Sequence, residues 1–358
     1  MGNTLYLLTI HRADNYGTAL QAYASQMFLS QLGYDVKIID YRCPEIERNF
    51  GLKGILCFDG ITKYFKRNIR NLILSESHRR FLSFYKDEYC LTSIDEVSDS
   101  SDCIFAVGSD QVWNYKITGK DTTYLLKKFN NGEKVSFASS FGMQKDLITS
   151  DYLKSCQREL SKFSYLSVRE KSSVSIIEEL TGKKCEVIID PTLLINRFDW
   201  ETITKKPKDQ GYILLYQIGH SAALVDIAKQ IQKELGLKII TIKGSLDPRK
   251  KIDAKYIWNA GPKDFLGLFR NAEYVITNSF HGTAFSINFH KKFFCQKLAT
   301  TASGDSRISD LLQLLNLTDR EIVNNKVQIP VDSAIDYEII DSKLLMEREK
   351  AKKFVKNW

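Results

Sequence analysis

A histidine, two arginines and an aspartate fall where a chain that alternates strands and helices could do chemistry. His281 lies in residues 274–294, YVITNSFHGTAFSINFHKKFF, which read as a buried strand, a polar corner of Asn278 and Ser279, and a short apolar helix running to a second strand. Such a corner joins the carboxyl end of a strand to the amino end of a helix, the place where an α/β sheet offers a ligand site. Ser279, His281 and Gly282 therefore read either as a catalytic or anion-binding corner or as a plain helix start. Near the amino terminus, Asn15-Tyr16-Gly17-Thr18 puts a permissive glycine and polar donors at another helix start that could hold an anion. Ser109 and Asp110 follow an apolar run, as a polar site or as a capping pair for the turn. Arg169 ends a further strand, facing a ligand or a surface ion pair, and Asp190-Pro191 reads as a turn device.

The elements that must position these residues alternate along the chain. Strand 5–10, a helix over 17–32 stopped by Gly33, and strand 36–40 form a βαβ unit. Strands at 104–107, 135–138, 166–168 and 187–189, with helices over 150–162 and 171–181, complete a first doubly wound domain. Residues 200–210, centred on KKPKDQ, read as a linker. A second alternation follows, with strands 212–217 and 238–242, helices 222–235, 263–271 and 307–315, and the 274–294 stretch. The fold class is thus α/β: two Rossmann-like doubly wound domains, residues 1–198 and 199–334, facing across a cleft. The tail, 335–358, is a charged helix expected to pack back on the first domain.

Composition narrows the function. The chain has 358 residues, 43% hydrophobic and 26% charged, the profile of a globular protein, and a net charge of +8 favours an anionic partner. Seven cysteines with no CxxC pair argue against a disulfide framework and a zinc ribbon, and suit a reducing cytoplasm. No GxGxxG or HExxH motif is present, so no metal and no cofactor are expected. His11 and His220 follow strands and read as solvent-facing. Basic residues are spread through the chain without a stacking motif, which weighs against nucleic acid. The stretch 61–74 is a basic amphipathic helix, and with the tail it could hold the protein weakly on an anionic membrane.

Taken in order, NYGTALQAYA, VGSDQVWN, SFASSFG, SVREKS, IDPTLL, TNSFHGTAFSI and SRISDLL resemble the polysaccharide pyruvyl transferase family over residues 15 to about 315. The resemblance implies a GT-B-like fold and transfer of a pyruvyl unit from phosphoenolpyruvate to a sugar, as a ketal across two hydroxyls. It also implies a cytoplasmic enzyme whose acceptor can be lipid-linked at the inner face of the membrane. The family's functional positions fall on Arg169, His281 and Arg307: the arginines as forks for the donor's carboxylate and phosphate, the histidine as proton donor. Asn15, Gly17, Ser109, Asp110, Ser279 and Gly282 are the expected substrate contacts. Ser279 stands where many relatives have arginine, and Arg307 where many have lysine. A nucleotide-sugar glycosyltransferase and a non-catalytic glycan-binding relative are the alternatives, since fold alone does not decide function.

Overall fold

Parallel strands covered on both faces must be apolar throughout, and the central strands of this chain are. The computed structural model describes residues 4–50, 61–242, 252–297 and 306–358, with side chains of 48–50 and 61–74 outside that description. Its strands are β1 (Thr4–Leu8), β2 (Asp35–Ile39), β3 (Leu91–Thr92), β4 (Ile104–Val107), β5 (Glu133–Ser136), β6 (Ser167–Val168), β7 (Glu186–Val187), β8 (Tyr212–Tyr216), β9 (Lys238–Ile242), β10 (Lys255–Ile257), β11 (Tyr274–Thr277) and β12 (Lys292–Cys295). Every residue of β4, β8 and β11 is buried.

The first sheet has the order β3-β2-β1-β4-β5 and the second β10-β9-β8-β11-β12, with parallel pairing throughout. The parallel pair β6-β7 extends the first sheet through bridges at Val135–Tyr165 and Ser139–Val168. Each sheet reverses its strand order once, at β1/β4 and at β8/β11. Those reversals open crevices at the carboxyl ends of the strands. The molecule is therefore two Rossmann-like domains in a GT-B-like arrangement.

The halves are joined by a common core. The helix Tyr16–Gln31 is buried on almost all sides, which places it between layers and not on the surface. Its Tyr16 ring stacks on Phe265 of the second half at 4.5 Å, and the Tyr16 hydroxyl donates to the Ala260 carbonyl at 3.0 Å. From the other side, the Trp200 ring lies 5.7 Å from Tyr23 of the first half and the Asn288 amide donates to the Thr192 carbonyl at 2.7 Å. One hydrophobic cluster runs through both halves.

Some elements depart from expectation. Trp200, expected to open a linker, is fully buried in the helix Arg197–Ile203 and donates its indole N–H to Thr192. The cause is local: Asn196 and Asp199 form a reciprocal capping box that starts a helix before the lysine-rich tract. The edge strand β10 was not expected, being three residues without alternation. The helix expected over 61–74 runs from Ile61 to Glu88, and the basic face of its first half lies outside the described side chains. His11 is buried, not solvent-facing, with Nε2 3.0 Å from Asp40. The last helix, Tyr337–Val355, lies on the first half: Arg348 donates to the carbonyls of Leu193 and Ile195, and Trp358 meets Phe137 edge-on at 5.9 Å.

Candidate functional site

Three strand ends are followed by a polar residue that caps a helix, and these corners meet between the halves. After β1, the Asn15 side chain accepts from the Thr18 amide and starts the helix Tyr16–Gln31. After β7, Asp190 accepts from the Thr192 amide at 3.0 Å and the Thr192 hydroxyl at 2.7 Å, with Pro191 at the first helical position. After β11, the Ser279 hydroxyl accepts from the Gly282 amide and starts the helix Phe280–Asn288. The fourth corner follows β4, where Asp110 takes the left-handed conformation (φ 69°), one that aspartate tolerates better than most residues.

A buried charge cluster links these corners. The Arg169 guanidinium donates to Asp190 at 2.7 Å and to Asp110 at 3.0 Å, and its Nε lies 3.9 Å from Glu170. Asp110 also accepts from the Thr18 hydroxyl and the Gln111 amide, both at 2.8 Å. His281 points Nε2 at Asp190, 3.7 Å from Oδ2 and beyond hydrogen-bond reach, and that nitrogen is buried without a hydrogen-bond partner. The imidazole keeps 12% of its surface exposed.

Burial alone would raise the Asp110 carboxyl, but the charges of Arg169 and His281, with the bonds from Thr18 and Gln111, hold it below the ordinary carboxylate range. Asp190 is held well below that range: burial opposes, but His281, Arg169 and Thr192 prevail. Burial disfavours the charge on Arg169, and the surrounding carboxylates more than restore it. The cluster is an ion-pair network whose members depend on one another.

Two chambers flank the cluster. A small one, about 140 Å³, is lined from the first half by Asn15, Thr18, Asp110 and Gln111 and from the second by Ser279, Phe280, His281 and Arg307. A larger one, about 350 Å³, lies against Arg169, Asp190 and the last helix. Phe280 stands between two cations, its ring centre 5.7 Å from the Arg169 guanidinium carbon and 5.5 Å from that of Arg307.

Of the residues expected at the site, Asn15, Asp110, Ser279, His281 and Arg307 line the small chamber. Gly17 touches it indirectly: a Cβ there would lie 2.0 Å from His281 Nδ1, so the glycine lets the ring in. Ser109 is a correction, since it is fully buried and its hydroxyl donates to the Ala138 carbonyl, away from the chambers. Gly282 is another, because its amide is taken by Ser279 and a Cβ would strike Thr277 Oγ1 at 2.4 Å; it is a packing glycine. Arg169 is inside the cluster, with both terminal nitrogens on carboxylates and not open as a fork for an anion. Thr18, part of the loop expected to hold an anion, also lines the small chamber, whereas Asp190 and Phe280 were missed as site residues. The signal for Asp190 was present: an Asp-Pro after a strand is the same cap grammar as Asn15 and Ser279. Among the described residues no cluster of His, Cys, Asp and Glu could hold a metal, and no helix is long and apolar enough to cross a membrane.

The geometry is that of a two-domain α/β protein of GT-B-like fold with its polar site at the junction of the halves. The sequence model of the polysaccharide pyruvyl transferase family matches residues 15–295, and the chain belongs to that family. A search of curated proteins found no match. Among solved structures, the chain is similar to the Neisseria meningitidis UDP-GlcNAc 2-epimerase bound to UDP-GlcNAc, with 10% identity and a TM-score of 0.48 over 98% of this chain and 93% of that one. It is also similar to the Methanocaldococcus jannaschii UDP-GlcNAc 2-epimerase (15% identity, TM-score 0.45, 98% and 92% covered). A third is the E. coli heptosyltransferase WaaC with ADP (9% identity, TM-score 0.41, 96% and 99% covered).

Proposed function

We propose that this protein transfers a pyruvyl unit from phosphoenolpyruvate to a sugar of a polysaccharide or its precursor, forming a pyruvate ketal, and that the donor sits in the small chamber. The observation that carries the reading is the convergence on that chamber of two helix amino termini, Tyr16–Gln31 from one half and Phe280–Asn288 from the other, together with His281 and Arg307. Helix amino termini favour negative charge, and a guanidinium can grip a carboxylate or phosphate through two nitrogens. A chamber of about 140 Å³ suits a three-carbon phosphate ester.

In this reading His281 gives a proton to the methylene carbon of the donor, which becomes a methyl group beside an oxocarbenium-like carbon. A sugar hydroxyl attacks that carbon, and its proton returns to the imidazole. Phosphate then leaves with the bonding electron pair, and the second hydroxyl attacks the same carbon and releases its proton to the departing phosphate. One donor and one diol give one ketal and one phosphate. Asp190 faces Nε2 and supports the imidazolium, while Arg169 positions Asp190 and Asp110. Arg307 holds the donor's anionic end. No cofactor or metal enters these steps. The enzyme works in the cytoplasm, with a lipid-linked acceptor met at the inner face of the membrane.

Incubation of the purified protein with phosphoenolpyruvate and a panel of nucleotide-linked and lipid-linked sugars tests this. Acceptor-dependent phosphate release with a matching mass gain on the sugar is expected, and His281→Ala should lose roughly 10²-fold or more while still binding the donor. Near-normal turnover by that variant would remove His281 from the role.

A further inference from the structure

We propose that Gln111 is a further donor-binding residue, its side-chain amide donating to a carboxylate or phosphate oxygen of the donor; this rests on phosphoenolpyruvate occupying the small chamber. Gln111 lines that chamber from the first half and is only part-buried. An amide can present its oxygen or its nitrogen, and only the nitrogen can hold an anion. Which end is available is decided by a relay that starts at a backbone group. The Lys116 backbone N–H can only donate, so the Asn114 side-chain atom that meets it, at 3.1 Å, is the oxygen. Asn114 Nδ2 is thereby turned to Gln111, where it needs an acceptor and finds Oε1 at 2.7 Å. Gln111 Nε2 is left over. Among the described residues it has no hydrogen-bond partner in the protein, and it is not sealed in the interior, so its hydrogens are available to a ligand.

The surroundings hold the side chain in that orientation. A Cβ on Gly142 would lie 2.0 Å from Gln111 Oε1 and 2.5 Å from Cδ, so the glycine makes room for the amide. The Gln111 backbone is fixed as well: its N–H donates to Asp110 Oδ1 at 2.8 Å and its carbonyl accepts from the Asn114 N–H at 3.0 Å. The same logic repeats at Asn15, whose Oδ1 is held by the Thr18 backbone N–H at 3.2 Å, which leaves Nδ2 as a second amide donor in the same lining. Asp110, the carboxylate of that lining, is already engaged at both oxygens, Oδ1 by Arg169 and the Gln111 backbone and Oδ2 by the Thr18 hydroxyl. The first half therefore meets the anion with neutral N–H groups, and Arg307 of the second half brings the charge.

The test is calorimetric titration of the full chain with phosphoenolpyruvate, inorganic phosphate and pyruvate, with urea midpoints to show that each variant is folded. Gln111→Met keeps the length of the side chain without its N–H groups and should weaken phosphoenolpyruvate by about tenfold or more. Gln111→Glu keeps an oxygen for Asn114 but turns a second one to the anion, and should weaken it further. Asn114→Asp tests the relay from a residue outside the lining: one carboxylate oxygen still accepts from Lys116, and the other draws Nε2, so Gln111 turns its oxygen to the donor. That variant should lose about as much as Gln111→Met, and adding Gln111→Met to it should cost nothing more; a plain charge effect of the new carboxylate would persist in the double variant and overturn the relay. A loss for phosphate but not pyruvate places the amide on the donor's phosphate, and the reverse places it on the carboxylate. Parent-like phosphoenolpyruvate affinity in Gln111→Met or Gln111→Glu overturns the proposal. Phosphate binding that needs Gln111, in a chain that does not bind phosphoenolpyruvate, would instead overturn the donor assignment and leave Gln111 as an anion contact.

Discussion

Replacing Gly17 by alanine separates catalysis from stability in a way that the geometry makes quantitative. The added Cβ would lie 2.0 Å from His281 Nδ1, 2.4 Å from Cγ and 2.5 Å from Cε1. Restoring ordinary contact at 3.4 Å moves the imidazole by about 1.4 Å, and the small chamber beside it gives the ring room to go. A displacement of about 1 Å at a reacting group can lower the rate about 10²-fold, or roughly 2.7 kcal/mol of barrier. Gly17 is in the first turn of the helix Tyr16–Gln31, where alanine gains less than the roughly 1 kcal/mol of a helix interior, so that gain at most offsets the cost of moving the ring and the fold should hold. Gly33→Ala supplies the opposite case. Its Cβ meets nothing within 4 Å, but φ is +98°, so stability should fall by about 1–2 kcal/mol with turnover unchanged. The assays are the pyruvyl-transfer rate and the urea midpoint of each variant. Gly17→Ala with turnover within a few-fold of the parent would refute the placement of the His281 ring as the reacting group.

Three further outcomes follow from the charge cluster and the surface. Arg169→Ala leaves Asp110 and Asp190 buried without their cation and should cost about 3–5 kcal/mol in urea unfolding, with Arg169→Lys restoring only part because a single ammonium cannot reproduce the two-carboxylate grip. Both aspartates are held below the ordinary carboxylate value, so their stabilisation is complete above pH of about 4 and is lost as pH falls through the lower folded values. The stability gap between the parent and Asp190→Asn should accordingly be wide at pH 7 and shrink below pH of about 4; a gap that widens on acidification would contradict the linkage. Co-sedimentation with anionic vesicles should be detectable at low salt and fall at high salt, since each basic residue near such a surface contributes on the order of 1 kcal/mol. Replacing Lys63, Lys66, Arg67 and Arg70 by glutamine should abolish it, and unchanged binding would rule out that helix.

Much of the architecture was legible because parallel strands and their caps leave strong local marks. The run YILLY and the helix Ala222–Leu235, ended by Gly236 in the left-handed conformation, carry their boundaries in their own residues. Trp200 was misread because a lysine-rich tract nearby outweighed the capping box at Asn196 and Asp199. The site was half legible. Its residues sit at strand ends, which periodicity locates, but what they do depends on partners far along the chain. Arg169 finds Asp190 across 21 positions and Asp110 across 59, and no local pattern says that both would absorb its guanidinium. Ser109 and Asp110 are adjacent in sequence, yet one faces the chamber and the other is locked behind it.

The common core bears on how the two chambers can work. Two domains joined by a small polar interface are expected to move relative to each other. Here Tyr16 stacks on Phe265 one residue before the glycine that admits His281, and Asn288, at the end of the helix that carries His281, donates to the Thr192 carbonyl of the first half. The contacts that hold the halves together are thus within a turn or two of residues that line the small chamber. Each aromatic pair contributes about 0.5–1.5 kcal/mol beyond the area it buries. Sliding one half against the other would break these pairs and separate the two helix amino termini at the same time. The chamber is therefore set by the same packing that joins the halves. The outer rim of the larger chamber, where Lys171 and Lys350 are exposed, takes no part in that packing.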